Sequence, residues 1–214
     1  MIKIIEFTLK NNLIIQYFYK RLFSLIFRFI GLFLRTDPNL VLFNSFGGKK
    51  YNDSPKVIFE QLLNQAASKN LKLVWALENP GNFDIPKAIK IEINSLEYFI
   101  IALKAKYWVS SVNIERGLKF KKDSTIYLNT WHGAGTKKIG NAVSKRKDYD
   151  FSNVDYLLVQ SNFEKDIFIN DFGVKEENCL LSGLPRSDEL FRTDKDQINL
   201  YKKKIINPKR QKNY

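Results

Sequence analysis

His132 is the only histidine of the chain. It stands in Thr130-Trp131-His132-Gly133-Ala134-Gly135-Thr136-Lys137-Lys138, between a tryptophan and a glycine and shortly before a pair of lysines. An imidazole can take a proton from a hydroxyl near neutral pH. Adjacent cations and glycine N–H groups can hold a phosphate. His132 is thus a candidate base, with Gly133, Gly135, Lys137 and Lys138 as candidates for the anion. Spacing alone leaves a second reading open, a packed and hydrogen-bonded structural histidine beside its tryptophan.

Three other segments carry suitable groups. Ser45-Phe46-Gly47-Gly48-Lys49-Lys50 combines glycines with lysines, so Gly47, Gly48 and Lys49 could meet an anion. It lacks the fixed spacing of a P-loop or dinucleotide fingerprint, and a solvated basic turn is the plainer reading. Ser110-Ser111-Val112-Asn113 offers hydroxyls and the Asn113 amide, as many polar strand ends do. In Gly183-Leu184-Pro185-Arg186-Ser187-Asp188, Arg186 could grip a phosphate with both arms of its guanidinium, or Ser187 or Asp188 could simply cap a helix. One cysteine, Cys179, and one histidine cannot supply four zinc ligands or an internal disulfide. No metal and no cofactor are expected, and a reducing compartment suits the chain.

What must position these groups is a series of short apolar runs. Leu40 to Phe46, Leu71 to Leu77, Ala88 to Ile93, Tyr107 to Val112, Thr125 to Leu128, Asp155 to Gln160 and Asn178 to Ser182 read as strands. Helices are predicted from Ser54, as cap of Pro55, to about Ser68, over LEYFIIALKA after the cap Ser95, and from Asn162 to Asp171 before Gly173. Strands apolar on both faces and separated by helices predict an α/β, doubly wound parallel sheet. Ligands of such sheets bind where the loops leave the carboxyl ends of the strands, and His132 emerges there from Thr125 to Leu128.

The chain has 214 residues and a formal charge of +13, which favours anionic partners of any kind. No recognised nucleic-acid motif accompanies the charge, so nucleic acid is not an expected partner. In the first 36 residues, Lys3, Lys10, Lys20, Arg21, Arg28 and Arg35 interrupt the apolar run too often for a bilayer span. With Leu22, Leu25, Ile26, Phe29, Leu32 and Phe33 they form a basic, aromatic-rich amphipathic helix suited to an anionic membrane surface. The alternative is a helix packed on the domain or on a partner. The expected organisation is an amphipathic arm over 1–36, a Rossmann-like domain over 37–195 and a basic tail over 196–214.

FNSFGGKKYNDSPKVIFEQL, LVWALENP, AKYWVSSVN, YLNTWHGAGTKKIG, DYLLVQSNFEKDIF and SGLPRSDEL, in that order, resemble the first half of the catalytic region of the CDP-glycerol glycerophosphotransferases, the teichoic-acid polymerase and primase family. The resemblance covers roughly residues 40–191, and the Trp-His-Gly loop with its following lysine is its specific part. It implies one half of a GT-B architecture and peripheral attachment to the cytoplasmic face of the membrane. It also implies transfer of glycerol phosphate, or a related polyol phosphate, from a CDP-activated donor to a lipid-linked acceptor, with His132 as the base. In that family a second domain holds the CDP donor and a second essential histidine. No counterpart follows Phe191, so the expectation is a shortened member that handles donor only if that domain is supplied. The alternative is a non-catalytic module binding acceptor or membrane. Ala134-Gly135-Thr136 departs from the family's frequent Thr-Pro-Leu type of sequence, which leaves the shape of this loop open.

Overall fold

The computed structural model describes residues 12–66, 69–135, 137–144 and 149–188. Seven strands form one all-parallel sheet: β1 (Asp37–Asn44), β2 (Lys72–Leu77), β3 (Ile89–Glu92), β4 (Ala105–Ser110), β5 (Ile126–Asn129), β6 (Tyr156–Val159) and β7 (Cys179–Leu181). Their spatial order is β3-β2-β1-β4-β5-β6-β7. The expected α/β class and parallel sheet are therefore observed. The order reverses between β1 and β4, and a crevice opens at the carboxyl ends of strands at such a point.

Alternation along the strands feeds two cores. Leu40 and Leu42 of β1, with Val74, Trp108 and Tyr127, face one side, while Val41 and Phe43, with Leu73, Trp75 and Val109, face the other. Helix α2 (Asp53–Ala66) covers the second side through Phe59, whose ring meets Phe43 edge-on at 5.3 Å. Three helices contribute to the first core: α1 (Leu13–Phe33) by Phe27, α3 (Leu96–Lys104) by Tyr98, Ala102 and Leu103, and α4 (Asn162–Phe172) by Phe168 and Phe172. Burying a side chain such as Phe27 contributes about 1.5–3 kcal/mol.

Helix α1 lies against the domain with one face only. Phe23, Phe27 and Ile30, at helical spacing, meet the core, and Phe27 stacks on Phe99 with ring centroids 4.4 Å apart. Arg28 Nε donates to the Lys119 carbonyl at 2.8 Å, and Ser24 Oγ accepts from Lys119 N at 2.9 Å. On the opposite face Phe18, Leu22, Leu25, Phe29 and Leu32 recur every three or four residues and are 55% to 80% exposed. The helix thus carries two apolar faces, one docked and one bare. Among the described residues no helix is long and apolar enough to cross a membrane. Lys3, Lys10 and the tail over 196–214 lie outside the described residues.

Two local expectations need correction. Helix α3 runs straight into β4 with no turn between Lys104 and Ala105, so β4 begins and ends two residues earlier than its apolar run suggests. Ser54 does not act as the cap that opens α2. The helix begins at Asp53, in a left-handed conformation (φ 63°), and the buried Ser54 hydroxyl accepts the backbone N–H of Arg186 at 3.3 Å. Ser95 does cap α3, accepting from Tyr98 N at 3.0 Å.

Candidate functional site at the strand reversal

The crevice is built from the ends of three adjacent strands. Beyond β1 the chain turns through Phe46, Gly47 and Gly48, all with positive φ. The turn is closed by Gly48 N donating to the Ser45 carbonyl at 3.0 Å and by Glu78 N donating to the Gly48 carbonyl at 2.8 Å. A Cβ on Gly48 would lie 3.0 Å from Glu78 N, and one on Gly47 would lie 2.9 Å from Arg116 Nη1. Both positions favour glycine by conformation, and at Gly48 the neighbouring backbone also leaves little room for a side chain. Beyond β4, Ser111 Oγ accepts from Phe46 N at 3.1 Å and joins the two strand ends across the reversal.

Beyond β5 the buried Asn129 shapes the next loop. Its Oδ1 accepts from Trp131 N at 2.8 Å, and its Nδ2 donates to the Val112 carbonyl at 3.2 Å. Trp131 is held at φ 51°, a conformation that costs an L-residue about 1–2 kcal/mol. Its ring offsets that cost by meeting Phe168 and Phe172 edge-on, each at 5.1 Å, and Phe151 at 6.1 Å. The turn at Trp131 delivers His132 over the crevice, its ring 4.1 Å from that of Trp131 and 5.4 Å from that of Phe46.

His132 Nδ1 lies 2.7 Å from the Ser111 carbonyl oxygen. A carbonyl only accepts, so Nδ1 carries the hydrogen, and in the neutral ring Nε2 keeps its lone pair. A bulky packing residue and an oriented imidazole are therefore neighbours in sequence with separate surroundings. Trp131 fills space and His132 presents a nitrogen.

A cleft of about 540 Å³ borders His132, lined also by Asn113, Arg116, Lys20 of α1, Tyr149 and Asp150. Asn113 Oδ1 is buried and has no hydrogen-bond partner among the described residues. Arg116, itself in a left-handed conformation (φ 56°), is steered by Nε donating to Asn94 Oδ1 at 3.0 Å. Arg186 reaches the site from beyond β7, its Nη1 donating to the His132 carbonyl and to Asp53 Oδ2, each at 3.0 Å. Among the described residues no group of His, Cys, Asp and Glu has the makings of a metal site.

The structure thus gathers His132, Asn113, Gly47, Gly48 and Arg186 at the crevice. It does not bring Lys49, Lys137 or Lys138 to the cleft lining; all three are exposed. Gly133 has open space around it and Gly135 abuts Ile167. Asp53 and Arg116 went unmarked by sequence reasoning, which read Lys20 only as a charge of the amphipathic arm and Ser111 only as one of several strand-end hydroxyls. Only the Arg116-Gly117 pair between two strands gave a local sign.

The family model of the CDP-glycerol:poly(glycerophosphate) glycerophosphotransferases matches residues 26–212. The teichoic acid poly(glycerol phosphate) polymerase of Staphylococcus epidermidis is 34% identical over 174 residues, covering 75% of this chain and 24% of that protein. A solved structure of a variant of the wall teichoic acid polymerase TagF superposes with a TM-score of 0.70 at 28% identity, over 89% of this chain and 52% of that one. A TagF variant soaked with CDPG superposes with a TM-score of 0.68 at 27% identity, over 89% and 53% of the two chains. The chain spans between about a quarter and about half of the proteins it matches.

Proposed function

The chain belongs to the CDP-glycerol:poly(glycerophosphate) glycerophosphotransferase family, and from this membership and the crevice geometry we propose that it serves transfer of glycerol phosphate, or a related polyol phosphate, from a CDP-activated donor to a lipid-linked acceptor in teichoic-acid or capsule synthesis. The observation that carries the reading is the His132 Nδ1 to Ser111 carbonyl contact, which leaves Nε2 as the open acceptor of a proton. In the proposed step the acceptor hydroxyl oxygen attacks the phosphorus bearing glycerol. Nε2 takes the hydroxyl proton, a new phosphodiester bond forms, and the bond to CMP breaks with the bridging oxygen leaving on CMP. A positioned base contributes roughly 10² to 10⁴ in rate.

In this reading the described domain is the acceptor side of a two-domain GT-B cleft, and a second domain outside it holds the CDP group. The bare face of α1, with its interspersed basic residues, rests on the cytoplasmic leaflet without crossing it. CMP release from CDP-glycerol in the presence of a lipid-linked glycerol-phosphate acceptor tests the assignment, with the chain alone and with the donor-side domain of a relative added. Transfer that collapses in His132→Ala with KM little changed supports it, the pattern of a lost transition-state interaction. Undiminished transfer overturns it.

A further inference from the structure

Building on the acceptor-side reading of the His132 cleft, we propose that the groove between α1 and the loop following Asn113 binds the phosphodiester chain of the acceptor and leads its end to His132. The groove encloses about 420 Å³ and the His132 cleft about 540 Å³, and the two share Lys20, Gly117 and Asp150. They are one continuous track. Its groove portion carries four cations, Lys20, Arg21, Arg28 and Lys119, against one carboxylate, Asp150, which is already paired with Lys119. Lys20 and Arg21 make no ion pair among the described residues.

The chemistry favours an extended polyanion over a single phosphate. Lys20 and Arg28 are eight residues apart on one helix, so the charges they present are separated by about 12 Å along its axis. A ligand that satisfies both needs at least two anionic groups. Gly117, at φ 85°, takes a backbone conformation that favours glycine, and it brings the loop against Lys20 at the junction of groove and cleft, where a Cβ would touch Lys20 Cε at 3.5 Å. Leu25 and Tyr17 at the outer rim belong to the bare face of α1. A lipid tail on that face and a phosphodiester chain in the groove would lie side by side, the arrangement a lipid-linked acceptor requires.

The test titrates lipid-free glycerol-phosphate oligomers of increasing length into the chain by calorimetry, beside Lys20→Gln/Arg21→Gln and the control Lys56→Gln, whose lysine sits on α2 paired with Glu60. We expect affinity to grow with oligomer length. The double variant should lose roughly tenfold or more for long oligomers, the scale of lost charge-assisted hydrogen bonds, while the control binds as the unaltered chain does. If the double variant melts early, Arg21→Gln alone, at an exposed position, keeps the comparison valid. Affinity independent of length, or a double variant that binds long oligomers unimpaired, overturns the proposal. So does a variant impaired only toward phosphatidylglycerol vesicles, since the cations would then serve membrane headgroups. The His132→Ala transfer assay fails or succeeds independently of these titrations, so the base assignment and the groove can be rejected separately.

Discussion

Arg186 Nη1 donates to the carbonyl oxygen of His132 at 3.0 Å while also pairing with Asp53, whose side chain is 4% exposed. One guanidinium therefore ties the loop after β5 to the start of α2. Removing it leaves a buried carboxylate short of a partner and the His132 loop short of a brace. Arg186→Ala should cost about 1–3 kcal/mol in urea unfolding, and in a transfer-competent preparation it should lower kcat more than it raises KM. Loss of stability alone, with kcat intact, would reduce Arg186 to a structural clamp.

Trp131 and His132 should separate in a stability measurement. Trp131→Ala empties an aromatic pocket and should cost about 3–5 kcal/mol, whereas His132→Ala should leave the melting temperature nearly unchanged. Because φ is 51° at this position, Trp131→Gly should be no less stable than Trp131→Ala despite the usual cost of glycine. Glycine faring clearly worse would show that the left-handed turn relaxes once the ring is gone.

Glu115 gives the domain a distinct response to pH. Burial pushes its carboxyl up from the ordinary value of 4.5, against the backbone N–H groups of Lys121 and Phe120 at 2.7 and 2.6 Å and the amide of Asn153. With the folded pKa above the unfolded one, the folded state holds the extra proton between them. This group's contribution is full below 4.5 and is lost as pH rises through the raised value. The stability of the unaltered chain minus that of Glu115→Gln should therefore fall with rising pH. A flat difference would mean that the hydrogen bonds cancel the effect of burial.

The bare face of α1 should bind anionic bilayers. Flotation with phosphatidylglycerol vesicles should weaken with salt and fall more than tenfold when Leu22, Leu25 and Phe29 are changed to serine, since each side chain buried in lipid is worth about 1.5–3 kcal/mol. The melting temperature should barely move, because these residues are exposed. Equal binding to neutral vesicles would instead point to a protein partner.

The regular parts of this fold announce themselves in local pattern. Both-sided apolar runs mark the strands, Ser95 marks the start of α3, and Gly173, at φ 69°, marks the end of α4. The site is legible only in part. His132 stands out by type, but its orientation depends on the Ser111 carbonyl, a backbone group with no signature. The left-handed Trp131 and Phe46 look unremarkable in sequence, since their conformations are imposed by Asn129 and by the strand reversal. Ser54 misleads for a similar reason: its natural local partner is replaced by Arg186, 132 positions away. Lys20 reads as one charge of an amphipathic helix until the docking of α1 turns it toward the cleft.

The Arg186 brace also sets an order of assembly. During synthesis His132 leaves the ribosome 54 residues before Arg186, a delay of roughly 3 to 11 s at ordinary elongation rates. Through that interval β1 can already pair with β2 and β4, and the Trp131 ring can find its pocket only once α4 has emerged. The nascent sheet therefore exists before its His132 loop is fixed. A pause or cleavage between β6 and β7 would yield a chain with most of its strands and an unbraced histidine.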